Sequence, residues 1–243
     1  MILAILQARL SSSRLPGKVL APVLGEPMVM RQLERLAFST MIDRLVVATS
    51  SDPSDDALAN VLASRGIEVR RGPLDDVLRR FAMVVDEFQP ETIVRLTADC
   101  PLADVTVIDR VITSHVQSGA DYTSNTITPT FPDGLDVECI GAKAFARLVA
   151  RPLTVREREH VTMGIYSRPD DFSLNSVVQE HDRSALRWTV DVAEDLEFVR
   201  AVYNELYIGN PRFEQEDVME LIRTQPALNR TGDDVARNAG SAQ

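Results

Sequence analysis

The chain reads as an α/β protein whose sheet is mostly parallel and covered by helices on both faces. Three observations carry that expectation. Apolar runs of strand length recur at residues 2–6, 44–49 and 92–97, apolar residues return at helical spacing between them, and no run approaches the ~18 apolar residues of a membrane span. With 243 residues the chain is long enough to bury one sizeable core.

In order, residues 2–6 (ILAIL) form a buried strand that empties into residues 6–20, LQARLSSSRLPGKVL. Pro27 is tolerated in a first helical turn, and Met30, Leu33, Leu36 and Ala37 follow at helical spacing. Residues 44–49 (RLVVAT) make a second strand, and Leu58, Val61 and Leu62 mark a helix stopped by Gly66. A third strand at 67–70 leads through Gly72-Pro73-Leu74-Asp75-Asp76 into a helix running to about residue 88. The fourth strand, 92–97 (TIVRLT), delivers Asp99 to its carboxyl end before Pro101 ends the run. The rhythm then changes. Strands at 121–125 and 135–140, helices at 143–150 and 157–166, a strand at 173–178 and an amphipathic helix at 194–206 predict a mixed second half.

Composition excludes several classes. A formal net charge of −10 argues against a nucleic-acid binder, which needs a basic face. The N-terminal apolar run meets Arg9 rather than a small-residue cleavage site, so no leader or membrane partner is expected and the cytoplasm is the expected location. Cys100 and Cys139 read as free thiols, and three scattered histidines suggest no zinc site.

Against that acidic background, residues 6–20 hold Arg9, Arg14 and Lys18 and no acid, among Ser11, Ser12, Ser13 and Gly17. Cations, hydroxyls and backbone N–H groups together ask for an anionic ligand, and the segment reads as a triphosphate-binding loop. It is not a Walker A loop, because Ser12 stands where the first glycine belongs and Val19 where a Ser or Thr belongs. Nor is it a dinucleotide fingerprint, since Gly17 is its one glycine. Only Lys18 and Lys143 among the 26 cationic residues are lysine. A compact ammonium suits a phosphate as a point charge. In parallel sheets ligands sit beyond the carboxyl ends of the strands, which puts this loop, Asp75-Asp76 and Asp99 on one rim.

The pattern Q-A-R-x-x-S-x-R-L-P-G-K at Gln7–18 resembles the signature loop of the cytidylyltransferases that activate acidic sugars, nearest to the branch named for spore-coat polysaccharide biosynthesis. The resemblance implies a Rossmann-like nucleotide-diphospho-sugar transferase fold with a small dimerisation excursion around residues 121–140. It implies one domain over 1–228, with a nucleotide-binding half at 1–118 and an acceptor half at 119–228; the polar composition of 229–243 reads as a disordered tail. The implied partners are CTP, a small sugar and a second copy of the chain, and the implied cofactor is Mg2+.

Asp99 ends a strand in Leu96-Thr97-Ala98-Asp99-Cys100-Pro101-Leu102, where it is placed to hold magnesium or to cap the next helix; the family's metal aspartate stands in the same D-x-P-L position. Asp191, in a segment resembling V-D-x-x-E-D-L-E, is the second metal candidate, with an N-cap as its other reading and Asp195 as a helix-terminal charge. Catalysis is expected from Arg9, Arg14, Lys18 and Asp99, with Leu6, Gln7, Ala8, Arg9, Ser13, Arg14, Lys18, Arg71, Asp76, Arg80 and Ala98 around the nucleotide. The family's usual Ser-Gly-Thr-Asp-Arg turn for the base is absent, and Asp75-Asp76-Val77-Leu78-Arg79-Arg80 stands in its place. For the sugar, Asp133, Asp136 and Glu138 resemble a branch-specific P-D-G-x-D-x-E stretch, His160 lies in an R-H-I-G-I-Y-like helix, and Arg187 offers a planar fork to a carboxylate. A glycosyltransferase of similar fold and a noncatalytic nucleotide-binding module are the rival readings. The first would want an Asp-x-Asp motif, but Cys100 and Pro101 follow Asp99.

Overall fold

The computed structural model describes residues 1–12 and 14–232. Strands β1 (Ile2–Gln7), β4 (Arg44–Ser50), β5 (Val69–Gly72) and β6 (Thr92–Thr97) lie parallel in the order β5-β4-β1-β6. The sheet continues through β8 (Glu138–Gly141), antiparallel to both neighbours, then β7 (Tyr122–Ser124) and β9 (Leu174–Ser176). A separate two-stranded ribbon, β2 (Pro22–Val23) with β3 (Glu26–Pro27), follows the loop. Because β4 and β5 extend the sheet on one side of β1 and β6 starts the other, the order reverses between β1 and β6. A crevice opens at such a point.

Alternate residues of the strands feed two cores. Ala4, Leu6, Val47, Val94 and Leu96 pack toward α1 (Met28–Leu36), α2 (Asp56–Ser64), α4 (Val105–Ser118), α8 (Ala193–Leu206) and α9 (Gln215–Thr224). Leu3, Ile5, Val46, Ala48 and Ile93 face α3 (Val77–Phe88), α5 (Ala142–Val149) and α7 (Met163–Tyr166), with α6 (Val155–Glu159) against the start of α3. Both faces are covered, as the near-continuous apolar runs require.

Several boundaries differ from the sequence expectation for identifiable reasons. The third strand starts at Val69 because Gly66 (φ +73) and Ile67 close α2, Ile67 N–H donating to Leu62 O at 3.1 Å. The helix expected at 157–166 is two short ones, broken at Val161, whose φ of +41 no helix accommodates. The expected strand at 135–140 begins only at Glu138, so Asp136 and Glu138 do not share a strand face. Of the tail expected at 229–243, residues 230–232 are bonded to the fold. Arg187 N–H donates to Arg230 O at 2.9 Å, Gly232 N–H to Ala185 O at 3.0 Å, and Leu186 bridges Thr231; residues 233–243 lie outside the described residues.

Gly134 fixes how the second half approaches the crevice. Its φ is +114, and a Cβ there would sit 2.6 Å from both Trp188 C and Thr189 N, so the two backbones touch where a side chain cannot intervene. Gly134→Ala is expected to lose about 2 kcal/mol or more of stability, read as a lower midpoint in urea unfolding.

Candidate functional site

The loop after β1 is tied down before it reaches the crevice. Asp55, fully buried, accepts from Leu10 N–H at 2.7 Å and from Ser50 N–H and Oγ. Gly17, at φ +75, donates its N–H to Leu10 O at 3.0 Å and starts a 3-10 turn, Lys18–Leu20, that carries Lys18 inward. Across the crevice Val190 N–H donates to Asp99 O at 2.8 Å and Thr189 Oγ1 to the same oxygen at 3.2 Å. That pairing brings two aspartates 92 positions apart to one place.

Lys18 is the meeting point. Only 8% exposed, it donates from Nζ to Val190 O at 2.6 Å and to Asp191 Oδ1 at 3.0 Å, and reaches Asp99 Oδ2 at 3.4 Å. Arg14 pairs with the same Asp191 Oδ1 at 2.8 Å. A third of the Asp99 side chain stays accessible. Burial pushes its carboxyl up, but Lys18 and the Thr97 hydroxyl outweigh that and hold it below the usual aspartate range. Neither aspartate is a helix cap. Asp104 caps α4, accepting from Thr106 N–H at 2.8 Å, and Asp195 accepts from Asp191 N–H at 2.9 Å and Val192 N–H at 3.1 Å at the start of α8.

Behind Asp191 stands a buried ionic cluster. Arg187 is 2% exposed and spends its fork on Asp191 Oδ2 (2.8 Å), Asp195 (3.2 and 3.3 Å) and Asp133 (3.4 Å). Arg230 adds a 2.9 Å bond to Asp195 Oδ1. Arg187, expected at a sugar carboxylate, is engaged by these aspartates, and Asp133, also expected at the sugar, is part of the same cluster. Arg187→Leu is expected to cost roughly 3–5 kcal/mol, because it strands buried carboxylates without a counter-charge; thermal unfolding checks this.

Glu138, expected at the sugar, is buried and accepts from Tyr122 OH at 2.6 Å, Thr162 Oγ1 at 2.5 Å and Arg95. Arg95 also donates to Gln7 Oε1 at 3.3 Å. Asp136 borders a small internal void with Gln32, Thr97 and Cys100. His160 lies between α6 and α7; burial lowers its pKa, and Arg95, Arg156 and Arg9 add to that against Glu159.

On the nucleotide side, Leu6 is buried in the core, Ala8 N–H donates to Ala48 O and Ala98 N–H to Gln7 O, which leaves Arg9 as the first residue past the sheet. Arg9 stands apart from Arg14 and Lys18 in its company, close enough to Arg80 and His160 to disfavour their charged forms. Arg71 clamps the ends of β4 and β5, donating to Ser50 O at 2.7 Å, Asp52 O at 3.0 Å and Asp56 at 2.6 Å, so its Nε and NH2 are not open to a base. Asp76 caps α3 through Arg79 N–H at 2.9 Å and pairs with Arg158 at 2.9 Å. Ser13 lies outside the described residues.

Sequence reasoning passed over Asp55 and Arg95. A charge inside the apolar strand TIVRLT was the signal available for Arg95.

Among the described residues no three His, Cys, Asp or Glu side chains converge on a metal position, and no helix is long and apolar enough to cross a membrane. The chain matches the family model described as Cytidylyltransferase over residues 3–218. The spore coat polysaccharide biosynthesis protein SpsF of Bacillus subtilis (strain 168) is 34% identical over 232 residues, 93% of this chain and 95% of that protein. A 3-deoxy-manno-octulosonate cytidylyltransferase of Syntrophotalea carbinolica is 38% identical over 113 residues, 46% of this chain and 44% of its own. Among solved structures, a cytidylyltransferase from Leptospira borgpetersenii serovar Hardjo-bovis superposes with a TM-score of 0.88 at 29% identity, covering 93% of this chain and 95% of that one.

Proposed function

Since the chain belongs to the cytidylyltransferase family, we propose that it transfers CMP from CTP to a sugar, an acidic one used in surface polysaccharide or glycan synthesis, and releases pyrophosphate. The observation that supports this best is the convergence of Lys18, Arg14, Asp99 and Asp191 where the strand order reverses. A sugar hydroxyl attacks the α-phosphorus, a P–O bond forms there, and the bond to the bridging oxygen breaks as pyrophosphate departs.

The donor set suits magnesium. Two carboxylates already converge on one cationic nitrogen, and magnesium commonly takes one or two carboxylates with waters and phosphates. Asp99 and Asp191 would hold it, and when bound it offsets charge on the phosphate oxygens. Lys18 and Arg14 offset the remaining charge of the tail, Arg187 keeps Asp191 turned toward the crevice, and Asp55 holds the loop that carries both cations. Arg9 serves the nucleoside end of the same ligand. A homodimer and a cytoplasmic location accompany this reading.

Pyrophosphate release from each of the four ribonucleoside triphosphates, against a panel of ulosonic and nonulosonic acids, tests it. Release from CTP with one or more of the acids is expected. No release with any pair counts against the reading, and turnover of a nucleotide sugar instead would favour a glycosyltransferase.

A further inference from the structure

Residues 230–232 run beside 185–187 and reach the crevice from behind. Arg187 N–H donates to Arg230 O at 2.9 Å, Gly232 N–H to Ala185 O at 3.0 Å, and Thr231 bridges Leu186 in the antiparallel sense. That pairing fixes the backbone of Arg230, and its guanidinium then reaches Asp195, Nη2 donating to Oδ1 at 2.9 Å. Asp195 is 1% exposed, and among the described residues Arg187 and Arg230 are the two cations that pair with it. One residue near the chain end thus holds both neighbours of Asp191, Arg187 by its carbonyl and Asp195 by its fork.

Asp195 is the pivot. Its Oδ1 accepts from Arg230 and from Arg187 Nε at 3.3 Å. Its Oδ2 accepts from Arg187 Nη2 at 3.2 Å and from the N–H groups of Asp191 at 2.9 Å and Val192 at 3.1 Å. Asp191 is gripped from two sides, its amide by Asp195 and its Oδ2 by Arg187 Nη2 at 2.8 Å, while its Oδ1 faces Lys18 and Arg14. Without Arg230 a single guanidinium would remain on the buried Asp195, and Arg187 would be drawn from Asp191 to satisfy it. Groups that orient a metal's carboxylate set its affinity although they never touch the ion. Resting on the cytidylyltransferase reading above, with magnesium at Asp99 and Asp191, we propose that Arg230 is a positioning residue for that metal: acting through Asp195 and Arg187, it keeps the Asp191 carboxylate facing the crevice.

Calorimetric titration of the full chain with CTP, once with magnesium and once with EDTA, tests this in wild type, Arg230→Gln, Arg230→Lys and Arg183→Gln. Wild type is expected to bind CTP more tightly with magnesium. In Arg230→Gln most of that tightening should be lost while affinity without metal stays as in wild type. In turnover the half-saturating magnesium concentration should rise ~10-fold or more, with kcat recovered at saturation. Arg230→Lys keeps a charge for Asp195 and should stand between the two. Arg183→Gln breaks the nearby pair with Glu216 without touching the cluster, and should keep the whole magnesium effect. A magnesium effect as large as in wild type in every Arg230 variant that folds, equal losses with and without magnesium, or the same loss in Arg183→Gln overturns the assignment and leaves the functional reading standing. Wild type that binds no CTP, or binds it equally well without magnesium, brings down the magnesium-assisted reading itself, and this assignment with it.

Discussion

Asp99→Asn is expected to lower kcat/KM for CTP by ~10²–10³-fold, about 2.7–4 kcal/mol of transition-state stabilisation. Asparagine keeps the volume and the polar atoms but removes the charge that faces Lys18 at 3.4 Å. The carboxyl is held below its usual range, so it is ionised throughout the neutral region and the variant differs from wild type in charge at every working pH. A group with a depressed folded pKa contributes stability above its unfolded pKa and loses it as pH falls through the folded one. The Lys18–Asp99 attraction therefore matters to folding near neutrality and fades only in acid. With a third of the side chain in solvent that contribution is small. Steady-state kinetics together with a melting curve separate the two effects: a large loss of rate with a nearly unchanged melt is expected, and near-normal turnover would refute the role given to Asp99.

Lys18→Ala is expected to act in opposite directions on the two ligands. Affinity for CTP should fall by roughly 10–100-fold, the worth of a charge-assisted bond to phosphate. Affinity for Mn2+ in the absence of nucleotide should rise, because the ammonium now sits against both Asp99 and Asp191 and its removal leaves two facing carboxylates without a counter-charge. Spin-resonance titration of Mn2+ and calorimetry with CTP measure the pair. A variant that loses both affinities together would mean that Lys18 merely supports the fold.

How much of this was legible beforehand differs from residue to residue. Strand β6 is read to its ends, Thr92–Thr97, because Thr92, Ile93, Val94 and Thr97 favour a strand and the run stands between Pro90-Glu91 and the turn at 98–101. The loop at Arg9–18 announces itself by charge alone, since three cations without an acid stand out in a chain of net charge −10. Glu138 and Arg187 show the limit. Each is a charged residue between apolar neighbours, and its fate is decided by partners on other elements: Tyr122, Thr162 and Arg95 for the one, Asp133 and Asp195 for the other. No local pattern carries that information. The break at Val161 is of the same kind, a β-branched residue at positive φ that propensity argues against and that tertiary packing imposes. The ribbon β2–β3 and helix α9 went unread because two-residue strands are too short for periodicity and the helix follows a stretch without a clear start signal.

Phosphorus NMR of the full chain with CTP, magnesium and an acceptor acid tests the central claim most directly, that the crevice held by Lys18, Arg14, Asp99 and Asp191 joins CMP to a sugar. The account predicts that pyrophosphate and a new phosphodiester resonance grow together and in equal amounts, and that both grow at least ~100-fold more slowly in Asp99→Asn. Free CMP appearing without a phosphodiester, or both products forming at wild-type rate in Asp99→Asn, would contradict it.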